Sequence, residues 1–566
     1  MSNKRKQSFL QLGLVLGIAL FLNILGNAFF AHLDLTEEKR FTLTKPTQQL
    51  LDSLDDVVYV EVLLEGEFPA GFKRLQRSTR EMLDDFRSQS GFIEYSFVDP
   101  NRGTVEEMNA RREELAKDGI IPTVLRVKDA KGGTSEKVIY PYAKVNYKGR
   151  LAVVDLLDEQ GPVRSPEEQE RQLNGSISQM EYKFANALYK LDIGIREIVA
   201  FTVGHGELGE QDRADLIKSL RAYYDVGNFN LDSAAVIPKD VSVLIVAKPR
   251  FPFSDRDKFL IDQYVMNGGK VIWLIDRLNV EMDSLRATGS YVARDYPLEL
   301  DDILFKYGAR VNPDLVLDLN CTHIPMVIDQ TGTMERFKWY YYPIVLPATN
   351  HVMVKSLDGV NLYFPSSIDT IKTKTQVKKT ILLATSDKSR LQPNITRLNF
   401  EILRYGEDIV PTFNKQHIPV AVLLEGEFPS LFENRVTESF KATLDQIGQE
   451  FKTVSPPTRM LVVSDGDIAR NGFDPQTGKA IPLGYNRIEN YQFANKDFLL
   501  NAVEYLKDEK GIIEARGKEV KLRLLDTVRA EDQAPMWQLL NIGLPLAFVA
   551  LFGFVFNWVR KKRFAR

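Results

Sequence analysis

One stretch restricts this chain more than any other, the run from Val241 to Asp276. Val241 to Ala247 is apolar and rich in β-branched residues, the pattern of a strand buried on both faces. Pro249 and Pro252 end it. Ser254 with Asp257 three residues later resembles a capping box, with Asp where Glu or Gln is usual. Leu260, Ile261, Tyr264 and Val265 then share one helix face, and Asn267-Gly268-Gly269 closes the helix, because a left-handed terminal residue costs little in Gly or Asn. Val271 to Ile275 is a second strand with Asp276 at its carboxyl end. Strand, helix and strand in this order imply a parallel sheet with a right-handed crossover. Ligands on such sheets sit at the carboxyl ends of the strands.

Both ends of the chain point to a membrane. Phe9 to Phe30 and Trp537 to Trp558 carry no charged residue, and each is long enough to cross a bilayer core of about 30 Å. Lys4, Arg5 and Lys6 precede the first run; Arg560, Lys561, Lys562, Arg563 and Arg566 follow the second. Positive flanks stay in the cytoplasm, so both termini are expected inside and the body between them outside, in a periplasm where the cell has two membranes. A cleaved signal peptide is the alternative for the first run, but it exceeds the usual apolar length and no small-x-small site follows. No Cys follows it either, which excludes lipoprotein processing. Cys321 is the single cysteine, so no disulfide forms within the chain. The formal charge is −3, and without the eight basic residues of the tails the body carries about −11, which argues against a nucleic-acid partner.

The pattern between the spans predicts an α/β protein. A basic tail (1–8) and a span (9–30) lead into an N-terminal α/β domain (31–190). Its helices are expected after Thr44, over Phe72–Arg87 and near Val105–Lys117, and its strands at Val57–Leu64, Phe92–Val98 and further along to Val154. That order suggests a thioredoxin-like layout without Cys-x-x-Cys, hence without thioredoxin chemistry. Residues 158 to 174 read as a loop or solvated helix start, and Ile177 to Leu191 as a docking helix. A flavodoxin-like, doubly wound domain follows in 191–310, with a strand to Val203 and a helix over about Gln211–Tyr223. It is interrupted by a β-rich insertion (311–410), resumes over 411–515, and passes through a linker (516–536) to the second span (537–558) and its basic tail (559–566). Val520 to Asp526 closes the domain. The octapeptide from Val62 to Pro69 recurs letter for letter at Val422 to Pro429, which marks two similar strand–turn elements.

Chemistry-bearing motifs are sparse. Gly204-His205-Gly206-Glu207 lies where a strand gives way to a helix. Backbone amides there could face an anion, and His and Glu could move protons; the plainer reading is a tight turn with a hydrogen-bonded His. Asp276, Asp465 and Asp467 could gather at the same sheet edge and hold a divalent cation, although Asp at a strand end more often forms turns. These seven residues are the ligand-binding candidates; no catalytic set, metal site or cofactor motif is complete. Cys321 lacks the strand–helix turn that a nucleophilic cysteine of the glutamine-amidotransferase type needs. Gly472 to Ala480 approaches a Walker A loop, but five residues separate its glycines and Ala480 replaces Ser or Thr. The run Trp339-Tyr340-Tyr341-Tyr342 suits a β-domain core or, less simply, a sugar platform.

Several features in order resemble one family: Asp34-Leu35-Thr36 and Phe41-Thr42-Leu43-Thr44 after the first span; Gly204-His205-Gly206-Glu207; Lys248-Pro249 with Asn267-Gly268-Gly269-Lys270; Asn495 to Asn501; and the terminal span with its basic tail. The chain is similar to the GldG family of gliding-motility ABC-transporter accessory proteins of Bacteroidetes, whose central part is shared with an intraflagellar transport protein. The resemblance implies a non-catalytic inner-membrane subunit that works with a multispan ABC permease and a separate cytoplasmic ATPase, in gliding and surface-protein secretion. A periplasmic ligand binder, for instance for a glycan, and a structural envelope scaffold without transport are the alternatives.

Overall fold

Thr44 opens the first helix and shows how the N-terminal elements are tied together. Its amide and hydroxyl both donate to the buried Glu181 Oε1, at 2.7 and 2.8 Å, so the hydroxyl serves a distant helix instead of capping its own. The structure, a computed structural model, describes residues 13–14, 16–18, 20–21, 42–128, 134–157, 166–194, 196–355, 357–395, 397–437, 441, 450–517 and 527–564. It divides into two units, residues 1–519 and 520–566.

The N-terminal part of the first unit contains helices α1 (Lys45–Asp52), α2 (Ala70–Gln89), α3 (Val105–Lys117), α4 (Pro166–Ser178) and α5 (Met180–Ile193). Its strands are β1 (Val58–Val62), β2 (Ile93–Phe97), β3 (Thr123–Lys128), β4 (Thr134–Ile139), β5 (Tyr142–Tyr147) and β6 (Arg150–Asp155). Four of them form a mixed sheet in the order β2-β1-β5-β6. β1 and β2 run parallel, while β5 pairs antiparallel to both β1 and β6. β3 and β4 make a separate hairpin. Phe72, Leu75, Leu83 and Phe86 of α2 and Phe184 and Leu188 of α5 share one core with Val58, Val60, Val145 and Val154 of the sheet. Ile512, Ile513 and Ala515, far along the chain, join that same core.

The larger sheet is built on β7 (Ile198–Val203), β8 (Asp225–Asn230), β9 (Val241–Ala247), β10 (Lys270–Leu274), β11 (Cys321–Val327), β12 (Met334–Pro347), β13 (Val377–Ala384), β14 (Pro419–Gly426) and β15 (Thr458–Val463). The order is β11-β12-β13-β14-β15-β10-β9-β7-β8, with the short strand Val360–Asn361 on β12. From β8 to β15 the strands are parallel; from β15 to β11 they are antiparallel. The doubly wound expectation is thus corrected to a mixed sheet. In its second half only β11 and β12 are joined by a short hairpin connection, which pairs strands antiparallel; β12, β13, β14 and β15 follow one another through the long segments 348–376, 385–418 and 427–457.

Helices cover both faces of the parallel half. α6 (Ala214–Arg221) and α8 (Asn495–Lys507) bury Leu216, Leu220, Phe498 and Val503 against Val243, Ile245, Ile272 and Leu274. α7 (Asp255–Met266) buries Leu260, Ile261 and Val265 against Leu244, Val246, Val271 and Trp273. Alternate residues of one strand therefore enter opposite cores, which is why β9 reads as an unbroken apolar run. The capping box on α7 forms as expected, with Ser254 Oγ accepting from the Asp257 amide and the Ser254 amide donating to Asp257. The repeated octapeptide gives one turn geometry twice: Gly66 has φ +137° and Gly426 has φ +141°, values open to glycine.

The second unit is one helix, α9 (Thr527–Phe564). Its segment Gln533–Lys562, 30 residues in which an 18-residue stretch reaches a mean hydropathy of 2.3, is the one candidate membrane span among the described residues. The helical start of α9 overlaps the segment read as a linker, and the closing segment Val520–Asp526 lies outside the described residues. The first span (9–30) also lies outside them, apart from Gly13, Leu14, Leu16, Gly17, Ile18, Leu20 and Phe21, which are helical and exposed.

Asp262 tests how α7 holds its surroundings. Its buried carboxylate accepts from Ser430 Oγ at 2.6 Å, the Leu431 amide at 2.8 Å and Tyr307 Oη at 3.0 Å. Asp262→Ala orphans all three donors and is expected to cost about 3 kcal/mol or more, read as a lower denaturant midpoint than that of the Asp262→Asn variant.

Candidate functional site

The carboxyl ends of β7, β9, β10 and β15 bring the candidate residues to one edge. Lys248 follows β9 directly, fully buried, with a left-handed φ of +55°. Its ammonium lies 2.6 Å from Asp467 Oδ2 and 3.1 Å from Asp276 Oδ2. Asp276 Oδ1 accepts from the Gly466 amide at 2.5 Å. Asp465 accepts from the Tyr363 amide at 2.7 Å and the Asp467 amide at 2.8 Å. The three aspartates do gather, and the cation among them is Lys248, which the sequence reading passed over as a site residue. A lone Lys ending an all-apolar buried strand was the available signal.

Electrostatics follow from burial. Burial pulls the Lys248 ammonium down, but Asp276 and Asp467 outweigh it and raise it above the usual lysine range. Burial pushes the Asp276 carboxyl up against the lowering pull of Lys248. Asp465, buried beside Asp276 and Asp467, is pushed well above the carboxylate range, which favours its protonated form. Arg470 adds a second cation 3.6 Å from Asp467 Oδ1. Lys248 and Arg470 are thus the two cations beside this group of aspartates.

The turn Gly204-His205-Gly206-Glu207 is not at a helix N-terminus, because α6 starts only at Ala214. The peptide groups here are spent within the fold. The His205 carbonyl accepts from the amides of Arg250 and Phe251 at 2.7 and 2.9 Å, and the Leu208 amide donates to the Ala247 carbonyl. The His205 amide donates to Glu207 Oε2 at 2.6 Å. This is the plainer of the two expectations for the motif, a tight turn with a bonded His. The His205 ring is buried and stacks on Phe253 with centroids 3.9 Å apart and planes within 5°. Nε2 lies 3.3 Å from Asp257 Oδ2 and Nδ1 lies 3.6 Å from Glu207 Oε1. Burial pulls the imidazole pKa down, but the Glu207 and Asp257 carboxylates prevail and raise it.

The strand edge is also covered from outside. The Ser366 amide donates to the Ser464 carbonyl at 3.1 Å, and Ser464 Oγ donates back to the Ser366 carbonyl at 2.5 Å. Segment 363–367 of the insertion thus lies across the end of β15, where the Tyr363 amide also donates to Asp465. Cavities of about 520 and 740 Å³ lie elsewhere, one lined by Arg150, Lys190 and Lys507, the other by Phe337, Phe400 and Arg404. Trp339, Tyr340 and Tyr341 are buried in the core of the insertion. Residues 472–480 form a turn, with the Gly478 amide donating to the Asp474 carbonyl at 2.7 Å.

Fold and site define a mixed α/β body whose strand ends are filled by its own side chains. The chain belongs to the family described as an ABC-type uncharacterized transport system, whose model matches residues 196–502, and it is an auxiliary component of such a system. A domain of unknown function matches residues 37–146. An uncharacterized protein of Borreliella burgdorferi is 22% identical over 464 residues, 78% of this chain and 82% of that one. Among solved structures, the mmIFT52 N-terminal domain gives a TM-score of 0.30 at 11% identity, covering 55% of this chain and 97% of that chain. The exo-beta-1,4-mannosidase Op5Man5 from Opitutaceae bacterium strain TAV5 gives 0.17 at 11% identity, covering 76% and 51%. Scores this low carry no argument.

Lys248→Met leaves two buried carboxylates without their shared cation and is expected to destabilise the protein by about 3–5 kcal/mol in chemical denaturation. Gly466→Ala should weaken the same edge, since its Cβ would come within 2.5 Å of the Lys248 Cβ and 2.8 Å of its Cα. Burial pushes the Cys321 thiol up to about 12. Alkylation of Cys321 at pH 8 should therefore be about a thousand-fold slower in the native protein than in denaturant, followed by mass spectrometry.

Proposed function

We propose that this chain is the non-catalytic, membrane-anchored accessory subunit of a GldG-type ABC transporter complex that serves gliding motility and surface-protein secretion. Its partners are a multispan permease and a separate cytoplasmic ATPase. Its two spans lie in the inner membrane, with both termini in the cytoplasm and the body in the periplasm. The family match supports the transport setting. The observation that carries the non-catalytic reading is the closed strand edge: Lys248, Asp276 and Asp467 occupy the position where doubly wound sheets hold ligands, and segment 363–367 covers it. The glycan-binding alternative is weakened because Trp339, Tyr340 and Tyr341 bury the faces a sugar would need.

Small residues such as Gly543 and Ala547 in α9 allow close approach of a permease helix. The body then moves with the permease's cycle. Gentle purification of the full-length protein from its own membranes tests this reading. Recovery of a permease and an ATPase in fixed ratio is expected. Recovery alone, or only with envelope proteins, would replace it with a scaffold without transport.

A further inference from the structure

Beside the turn after β7, three ligand-type side chains converge from three separate elements. His205 follows β7, Asp232 follows β8, and Asp257 lies in the first turn of α7. One donor atom of each lies within 4.8 Å of the others. His205 Nε2 and Asp257 Oδ2 are 3.3 Å apart. Two ligands held about 2.0–2.1 Å from a tetrahedral ion stand about 3.3 Å from each other, so this separation already suits a shared metal.

The surroundings carry further signs. Asp257 Oδ1 is buried without a hydrogen bond, with only the Arg256 guanidinium at 3.9 Å. The Asp232 carboxylate is exposed and has no hydrogen bond or ion pair among the described residues. On the far side of the ring, His205 Nδ1 and Glu207 Oε1 face each other at 3.6 Å, and neither has a hydrogen-bond partner. A carboxylate on the second ring nitrogen is how metal-binding histidines are oriented. Phe253 stacked on the imidazole fixes its plane. Gly204 keeps the approach open: a Cβ there would lie 3.3 Å from Asn230 Oδ1 and 3.4 Å from Asp232 Oδ2.

A plainer account exists for part of this. Asp257 Oδ2 accepts from the Ser254 amide and hydroxyl, so helix capping alone justifies that oxygen. It does not explain Asp232, the orphaned Asp257 Oδ1 or the Glu207–His205 pair. The N-terminus of α7 opposes a cation with about half a positive charge, against three carboxylates.

We propose that His205, Asp232 and Asp257 form a site for a divalent transition-metal ion, with Glu207 holding the imidazole in place. One imidazole and two carboxylates suit Zn²⁺, Mn²⁺ or Fe²⁺ better than Ca²⁺ or Mg²⁺. The site ties the exposed edge strand β8 to α7, and it leaves coordination positions for water.

The test uses the full-length protein in detergent, stripped with a chelator and titrated with Co²⁺, whose visible absorption reports nitrogen and oxygen ligands; Zn²⁺ then competes. One equivalent per chain is expected. Asp232→Asn, at an exposed position the fold does not rely on, should weaken Co²⁺ binding by about ten-fold or more, and Glu207→Gln by about ten-fold. No saturable binding of Co²⁺ or Zn²⁺ by the unmodified protein would overturn the proposal. So would equal binding by Asp232→Asn, which would place the ion at another histidine.

Discussion

The architecture turns on one buried ammonium. Lys248 sits where β9 ends, and its charge is shared by Asp276 beyond β10 and Asp467 beyond β15. Removing ions from water is costly, and the arrangement recovers that cost only because the geometry is close and the charges balance. Arg470 supplies a second cation, and burial beside Asp276 and Asp467 pushes the Asp465 carboxyl up, which lessens the third negative charge. Gly466 is part of the same solution, since any side chain there would collide with the backbone and Cβ of Lys248. Three adjacent parallel strands are thus fastened at the end where such sheets are usually open.

That fastening decides what the edge can do. The second half of the sheet runs antiparallel, and the insertion that builds it returns across the fastened ends through Tyr363, Ser366 and Ser464. The central crevice is therefore used for internal bonding. What stays accessible is the outer corner beside β8, where Asp232 is exposed next to the buried His205 ring. The body is thus closed at its centre and open at one corner.

Local signals were legible where local physics decides. The capping box of α7 and that of α3 at Thr104–Glu107 form, and the apolar run of β9 is buried on both faces because its neighbours alternate between two cores. β8 escaped notice because its sequence, Asp225-Val-Gly-Asn-Phe-Asn230, is polar and half exposed, as an edge strand paired on one side can be. The direction of β14 and its neighbours depends on which strands meet, and no residue pattern states that. The site shows the same split. That Asp276, Asp465 and Asp467 lie at strand ends could be read from the order of elements. That a lysine neutralises them, and that Asp257 serves His205 as well as its own helix, are long-range pairings visible only once the sheet is assembled.

The same long-range packing brings the two ends of the body together. α1, just after the region of the first expected span, packs Leu50 and Leu51 in the core that also holds Ile512 and Ile513. Pro46 and Gly511 come so close that a Cβ on the glycine would lie 3.4 Å from the proline ring. Lys190 of α5 pairs with Glu504 of α8 at 2.5 Å and lies over the Tyr223 ring, which joins the N-terminal core to the larger sheet. Entry to and exit from the body are therefore neighbours, although more than 460 residues separate them in sequence.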